Sequence, residues 1–239
     1  MCGIVGYVGN RECMPILLEG LKRLEYRGYD SAGVAIQRNG SLDVRKAAGK
    51  IRVLEERLAS GAPSGTTGIA HTRWATHGEP NDVNAHPHTD CSGRVALVHN
   101  GIIENYTVLK SALLAEGHRF QTDTDTEVLA HLMEKHMQRG FKLEQAVGAA
   151  LRAVEGTYGI AVVCADEPGV LVGARNGSPL VVGVADGEYF LASDVAPIVE
   201  HTRQVVYLDD GEMAVMTSEG FHTATIEHER VNKEVHEAE

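Results

Sequence analysis

Apolar and polar positions along this chain follow two periods, and the changes of period mark its elements. Residues 4–8 form a short apolar run of the kind a strand buried on both faces requires. From residue 13 to 24 the apolar Met14, Leu17, Leu18, Leu21 and Leu24 recur at helical spacing. Pro15 falls in that helix's first turn, where its missing N–H costs least, and Asn10 is placed to cap it. Tyr26-Arg27-Gly28-Tyr29-Asp30-Ser31 reads as a polar turn. Residues 32–37 and 42–46 are strand-like and are separated by Asn39-Gly40, a strong hairpin signal. Residues 51–58 fit a short helix, 62–65 a loop, and 68–72 another strand.

The pattern then lapses. Residues 73–93 hold two prolines, three histidines and few apolar residues, including Trp74, the single tryptophan; such a stretch inside a compact domain is expected to be a functional loop or lid. Residues 94–98 form an apolar strand ending in His99-Asn100-Gly101, and a helix pattern covers 106–114. Thr124-Asp125-Thr126-Glu127 has the spacing of a capping box and opens a helix through Val128, Leu129, Leu132 and Met133. A further helix spans 143–154, and from 159 seven strand-like segments run to 226. Strands, a block of helices, then strands again predict an α+β fold with mostly antiparallel sheets, two of them packed face to face and covered by helices in one domain. The polar residues 227–239 read as a tail or linker.

Composition changes this picture little. With 239 residues the chain can bury a sizeable core, and 43% hydrophobic and 23% charged residues are ordinary for a globular protein. A net charge of −11 argues against a nucleic-acid surface. No run reaches the ~18 apolar residues of a membrane span and no leader pattern is seen, so the expectation is a cytosolic protein without a membrane partner. Four cysteines lie far apart without a CxxC pair, which suits free thiols.

Chemistry enters at Met1-Cys2-Gly3. Removal of the initiator Met would leave Cys2 with a thiol and a free α-amine on one residue. The amine's reference pKa of roughly 7.7–8.0 suits a base and the thiol can serve as nucleophile, so one terminal residue supplies both. A small apolar residue opening a strand would read the same way. Arg73 directly follows a predicted strand and has the fork geometry that grips a carboxylate, though a surface arginine also fits. Asp125 falls in a first helical turn, where an acid also favours the helix dipole. Together Arg73 and Asp125 could hold the α-carboxylate and α-ammonium of a free amino acid. Asn100 and Gly101 fit either a plain turn or an oxyanion hole built from a side-chain amide and a backbone N–H. His71, His77, His86, His88 and His99 invite a metal reading, but Pro87 stiffens the His86–His88 pair and no HExxH or paired Cys/His spacing appears, so no metal site is expected.

At these residues the chain resembles a known family. Met1-Cys2-Gly3-Ile4-Val5-Gly6 is similar to the start of the class II, N-terminal-nucleophile glutamine amidotransferases. Residues 24–33 (Leu-Glu-Tyr-Arg-Gly-Tyr-Asp-Ser-Ala-Gly), 71–78 (His-Thr-Arg-Trp-Ala-Thr-His-Gly) and 99–105 (His-Asn-Gly-Ile-Ile-Glu-Asn) resemble the glutaminase domains of glucosamine-6-phosphate synthases. The purine-pathway amidotransferase and asparagine synthetase share the terminal Cys and the general plan but differ in the Arg-Gly turn and after the arginine.

The resemblance covers residues 2 to about 226. It implies a four-layer αββα sandwich, the N-terminal-nucleophile hydrolase fold, and a type 2 glutamine amidotransferase domain over residues 1–226. Cys2 is then expected to attack the side-chain amide of L-glutamine, with its α-amine shuttling the proton to ammonia. Asn100 and Gly101 would hold the oxyanion. Arg73, with Thr76 and His77 nearby, would bind the α-carboxylate and Asp125 the α-ammonium. Trp74 would belong to a closing loop, Arg27 would order the terminal residue, and His86 would be a loop contact. No cofactor is implied. The family's synthases continue into a sugar-phosphate isomerase domain that receives the ammonia, and the full enzymes are expected to be homo-oligomers. This sequence stops at Glu239, which suggests an excised domain that releases ammonia. Another N-terminal-nucleophile amide hydrolase, or a non-catalytic amino-acid-binding module if Met1 is retained, are the competing expectations.

Overall fold

The computed structural model describes residues 2–238. The chain opens with β1 (Gly3–Val8), whose six residues are all buried. Ile4 and Val8 point to one side and Val5 and Tyr7 to the other, each into a different core, which is why the run is continuously apolar. Helix α1 (Cys13–Arg23) follows. Asn10 does not cap it: the N-cap position is Glu12, which makes no side-chain cap bond, and Glu12 instead accepts hydrogen bonds from Ser64 and the Gly65 N–H. The polar turn contains one 3-10 turn, Glu25–Arg27. β2 (Ser31–Arg38) and β3 (Ser41–Ala48) pair through Asn39 and Gly40, which have φ of 48° and 76°, as the hairpin signal requires. Then come α2 (Ile51–Leu58) and β4 (Thr67–Arg73).

β5 (His88–Thr89) is a two-residue strand inside the long loop. β6 (Val95–Ile103) leads to α3 (Tyr106–Ala115), α4 (Glu127–Met137) and α5 (Leu143–Arg152). The second strand series is β7 (Gly156–Cys164), β8 (Leu171–Asn176), β9 (Val181–Ala185), β10 (Glu188–Ala192), β11 (Gln204–Tyr207), β12 (Glu212–Thr217) and β13 (Gly220–Thr225).

The polar segment from Glu227, expected as a tail, adds two more strands. β14 (Arg230–Val231) pairs with β13, and β15 (His236–Glu237) pairs with β11. Lys233 bridges Asp209 and Glu212, and Ala238 is buried in the core. Backbone pairing and the Lys233 ion pairs hold this segment, with only a small apolar contribution from Ala238, so its composition conceals its place.

Two sheets result, ordered β15-β11-β9-β10-β1-β4-β2-β3 and β14-β13-β12-β8-β7-β6-β5, with antiparallel pairing throughout their ladders. Three apolar cores separate four layers. Helices α1 and α2 cover the outer face of the first sheet through Leu17, Leu21 and Leu54. Helices α3, α4 and α5 cover the second through Leu113, Leu129 and Val147. Between the sheets lie Ile4, Ile69, Val98, Ala161 and Leu191. This is the αββα sandwich, and it brings the start of β1 in one sheet against the far half of β6 in the other.

Candidate active site

Cys2 sits just before a strand that is flanked on both edges, which fixes it tightly. Register pairs Gly3 with Thr72 of β4, and the Gly3 N–H donates to Thr72 Oγ1 at 3.1 Å. The Ile4 N–H donates to Ser193 Oγ, just past β10, at 3.0 Å. The Cys2 sulfur accepts the Trp74 N–H at 3.1 Å. Its carbonyl oxygen accepts from Asn100 Nδ2 at 3.1 Å and from Arg27 Nη1 at 3.5 Å. Arg27 is held in turn by an ion pair with Asp194 at 2.6 Å and by Ser193 Oγ at 3.4 Å.

Asn100 and Gly101 do not end a strand at a turn, as the sequence pattern suggested. β6 continues to Ile103 and stays paired with β7, Asn100 opposite Gly159 and Gly101 opposite Tyr158. The misreading came from the glycine, which here serves close approach rather than a turn. Its φ is 127°, and a Cβ would lie 2.2 Å from the Thr157 carbonyl oxygen. The Asn100 amide is oriented from behind: its Oδ1 lies 2.9 Å from His71 Nε2. The Cys2 carbonyl can only accept, so Nδ2 faces Cys2 and Oδ1 faces His71, whose Nε2 therefore carries the proton. Full burial pushes the His71 pKa down to about 3, so the ring is neutral.

Asp125 is likewise placed differently from expectation. It precedes the N-cap of α4, Thr126, rather than lying in the first turn, and its Oδ2 accepts the Ile103 N–H at 2.7 Å. The predicted capping box is replaced: no side-chain bond caps the helix at Thr126, and the Glu127 carboxylate takes the N–H groups of Gln121 and Thr122 at 2.9 and 2.7 Å. Asp125 therefore links α4 to β6 across the site.

Arg73 closes β4 and is buried. Its guanidinium donates to the carbonyls of His77, Gly78 (3.1 Å) and Glu79 (3.3 Å), so it builds the turn of the loop that follows as well as the cavity wall. Asp30 clamps the base of that loop, taking the Ala75 N–H at 2.6 Å. Trp74 is 55% exposed at the rim. The loop's far side lies against β2 at Gly33, where a Cβ would stand 2.0 Å from the His86 carbonyl oxygen.

All nine residues singled out from sequence, Cys2, Arg27, Arg73, Trp74, Thr76, His77, Asn100, Gly101 and Asp125, line one cavity of about 390 Å³, with His86, His99 and Thr157 among the others. Sequence reasoning gave His71 only a rejected metal reading, and gave Ser193 and Asp194 no role. Asp30 lay inside a quoted motif without a role; Ser193 and Asp194 carried no local signal at all, because they act across the sheet from 166 residues or more away.

Burial raises the Cys2 thiol pKa, while the Trp74 N–H and the Arg73 charge act in the opposite direction. The buried histidines are neutral bracing. His71 and His86 stack with centroids 4.2 Å apart, His86 Nδ1 accepts the His99 N–H at 3.2 Å, and His88 Nε2 lies 3.1 Å from Thr124 Oγ1.

The chain belongs to the glutamine amidotransferase domain family, whose model matches residues 71–200. Among curated proteins it is 58% identical to the glutamine–fructose-6-phosphate aminotransferase [isomerizing] of Chlorobaculum tepidum, over 99% of this chain and 39% of that protein. It is 52% identical to the protein of the same name from Thermococcus kodakarensis, over 99% of this chain and 40% of that one. The chain thus spans about two fifths of the length of these relatives. Among solved structures, glutamine phosphoribosylpyrophosphate amidotransferase from B. subtilis superposes with a TM-score of 0.80 at 29% identity, covering 94% of this chain and 49% of that one. No helix among the described residues is long and apolar enough to cross a membrane.

Proposed function

We propose that this chain hydrolyses L-glutamine to L-glutamate and ammonia through a thioester on Cys2. The observation that carries the reading is the Asn100 amide turned toward Cys2 across the two sheets, in a cavity that also holds Arg73 and Asp125. The α-amine takes the Cys2 thiol proton as the sulfur adds to the amide carbon, and the carbonyl oxygen takes up the negative charge facing Asn100 Nδ2 and the Gly101 N–H. An amide nitrogen carries two protons. One of Asn100's goes to the Cys2 carbonyl, which leaves the second for the oxyanion. Collapse breaks the C–N bond, and the α-amine of a Met-trimmed Cys2 delivers the proton that lets ammonia leave. Water then cleaves the thioester, giving glutamate and the free thiol.

Arg73 is assigned the α-carboxylate, with Thr76 and His77 beside it, and Asp125 the α-ammonium. Trp74 is assigned to the covering loop and Arg27 to ordering Cys2. The relatives' printed names and their greater length support a setting as the ammonia-supplying part of a glutamine–fructose-6-phosphate aminotransferase, with a sugar-phosphate isomerase domain as recipient. The whole enzyme is assigned as a homo-oligomer. Free cysteines are in keeping with a reducing cytosol.

Met1 lies outside the described residues, so intact mass is the first measurement: loss of one Met exposes the amine. Ammonia release is then assayed with glutamine, asparagine and unrelated amides. Glutamine-selective release that vanishes in Cys2→Ala, with glutamine still bound, supports the reading. Release from amides without an α-carboxylate at similar rates would favour another N-terminal-nucleophile hydrolase. A retained Met1 with binding but no turnover would leave only an amino-acid-binding module.

A further inference from the structure

Away from the cavity, four side chains from three segments converge. Cys91 lies two residues after β5, His118 follows α3, and His131 and Glu134 stand about one turn apart on α4. One donor atom from each falls within 4.8 Å of all the others. Cys91 Sγ is 3.5 Å from His131 Nδ1 and 4.0 Å from His118 Nδ1. Glu134 Oε2 is 2.8 Å from His118 Nδ1 and 3.2 Å from His131 Nδ1.

We propose that Cys91, His118, His131 and Glu134 form a structural site for a divalent transition metal of the zinc type, bound through Cys91 Sγ, both imidazole Nδ1 atoms and the Glu134 carboxylate. A tetrahedral ion with bonds of about 2.3 Å to sulfur and about 2.0–2.1 Å to nitrogen and oxygen holds S and N about 3.5 Å apart and N and O about 3.3 Å apart. The spacings above already lie close to those values. A thiolate with two imidazoles selects zinc or cobalt over magnesium or calcium, whose partners are oxygens. Four protein ligands close the coordination sphere, as structural sites require.

The surroundings fit as well. His131 Nε2 lies 3.1 Å from Glu127 Oε1, which assigns the N–H to Nε2 and leaves the Nδ1 lone pair for the metal. The Arg119 N–H points at Cys91 Sγ from 3.2 Å, where it would stabilise the thiolate. Phe120 packs on the His131 ring at 4.4 Å, and exposed Cys91 gives the route in from solvent. Binding releases the thiol proton, leaves His118 with its proton on Nε2 instead of Nδ1, and replaces the His118–Glu134 hydrogen bond with metal bonds.

Such a site would staple the loop after β5 and the α3–α4 connection to α4. It also reaches the cavity indirectly. Glu127, partner of His131, holds the N–H groups of Gln121 and Thr122, just ahead of Asp125. The sequence pattern predicted no metal because it drew attention to the histidines around the cavity. Of the ligands proposed here, only His131-x-x-Glu134 is a local signal.

Chelator-treated protein titrated with Co²⁺ tests the assignment. Expected is one equivalent bound, with the intense visible bands of tetrahedral cobalt and a thiolate charge-transfer band. Both should persist in Cys2→Ala, which removes the other reactive thiol, and the charge-transfer band should vanish in Cys91→Ser. Zn²⁺ should bleach the cobalt spectrum and raise the Tm by linkage. Glu127→Gln should weaken binding about 10–100-fold without abolishing the charge-transfer band. The proposal is overturned if wild type shows no tetrahedral spectrum at stoichiometric cobalt, or if the spectrum is lost in Cys2→Ala and kept in Cys91→Ser. Neither failure touches the glutaminase reading, which is scored by ammonia release.

Discussion

His71 Nε2 and Asn100 Oδ1 stand 2.9 Å apart, one residue in each sheet. The Cys2 carbonyl can only accept and takes Asn100 Nδ2, so Oδ1 faces His71 and accepts the proton carried by Nε2. Two hydrogen bonds of opposite sense thus decide which end of an otherwise symmetric-looking amide faces the site.

Removing the amide should cost rate and not fold. Asn100→Ala is expected to lower kcat for glutamine by about 10²–10³, the usual worth of one oxyanion donor. His71→Leu, which frees the amide to rotate, should lower kcat about 3–10-fold, the worth of one net hydrogen bond, with recovery in His71→Gln. Steady-state kinetics with circular dichroism as a folding control checks both. An unchanged kcat in Asn100→Ala removes it from the mechanism.

Arg73→Ala should raise KM by about 10–10²-fold, in line with the loss of a charge-assisted contact. Because Arg73 also ties down the carbonyls of residues 77–79, its loss should make Trp74 more accessible to a fluorescence quencher. A large fall in kcat at constant KM would contradict the carboxylate role.

Gly101→Ala should be more damaging than an ordinary strand substitution. The backbone at φ 127° costs a side chain about 1–3 kcal/mol, and the Thr157 carbonyl oxygen stands where the methyl must go. A clear loss of Tm together with loss of turnover is expected. Wild-type stability would show that β6 and β7 separate there easily.

Acid should destabilise the fold early. His71, His86 and His88 have pKa values lowered by burial, so the unfolded chain binds more protons than the native one below about pH 6.5. Stability from these groups is complete above that pH and is lost as pH falls, for His71 down to about 3. By pH 5 the loss is about 2 kcal/mol for His71 alone. Thermal melts between pH 8 and 4 should show Tm dropping from about pH 6.5 downward. A flat Tm to pH 5 would mean these rings are charged or hydrated in the native state.

The elements most legible in sequence were those whose local pattern and burial agree. The β2–β3 hairpin follows from Asn39-Gly40, α2 from its apolar spacing over Ile51–Leu58, and β1 from five apolar or glycine positions in a row. The readings that failed did so where a non-local partner overrode a local signal. Gly101 looked like a turn, but the paired β7 carries the strand through it. Thr124 and Glu127 looked like a cap, but Glu127 is used by residues 121 and 122 and Thr124 by His88. The segment after Glu227 looked like a linker because β14 and β15 are held by edge pairing that hydropathy does not report.

The residue types that could do the chemistry, and the elements carrying them, were set by the chain itself, since periodicity and turn chemistry act over a few residues. Their convergence was decided only by the tertiary structure: sulfur, amide, guanidinium and carboxylate come from four separate segments. Packing of two sheets about a shared apolar layer brings the start of β1 against the end half of β6, and no short-range pattern encodes that meeting. The same holds for the Cys91 cluster, whose three segments are joined by the docking of α4 on its sheet.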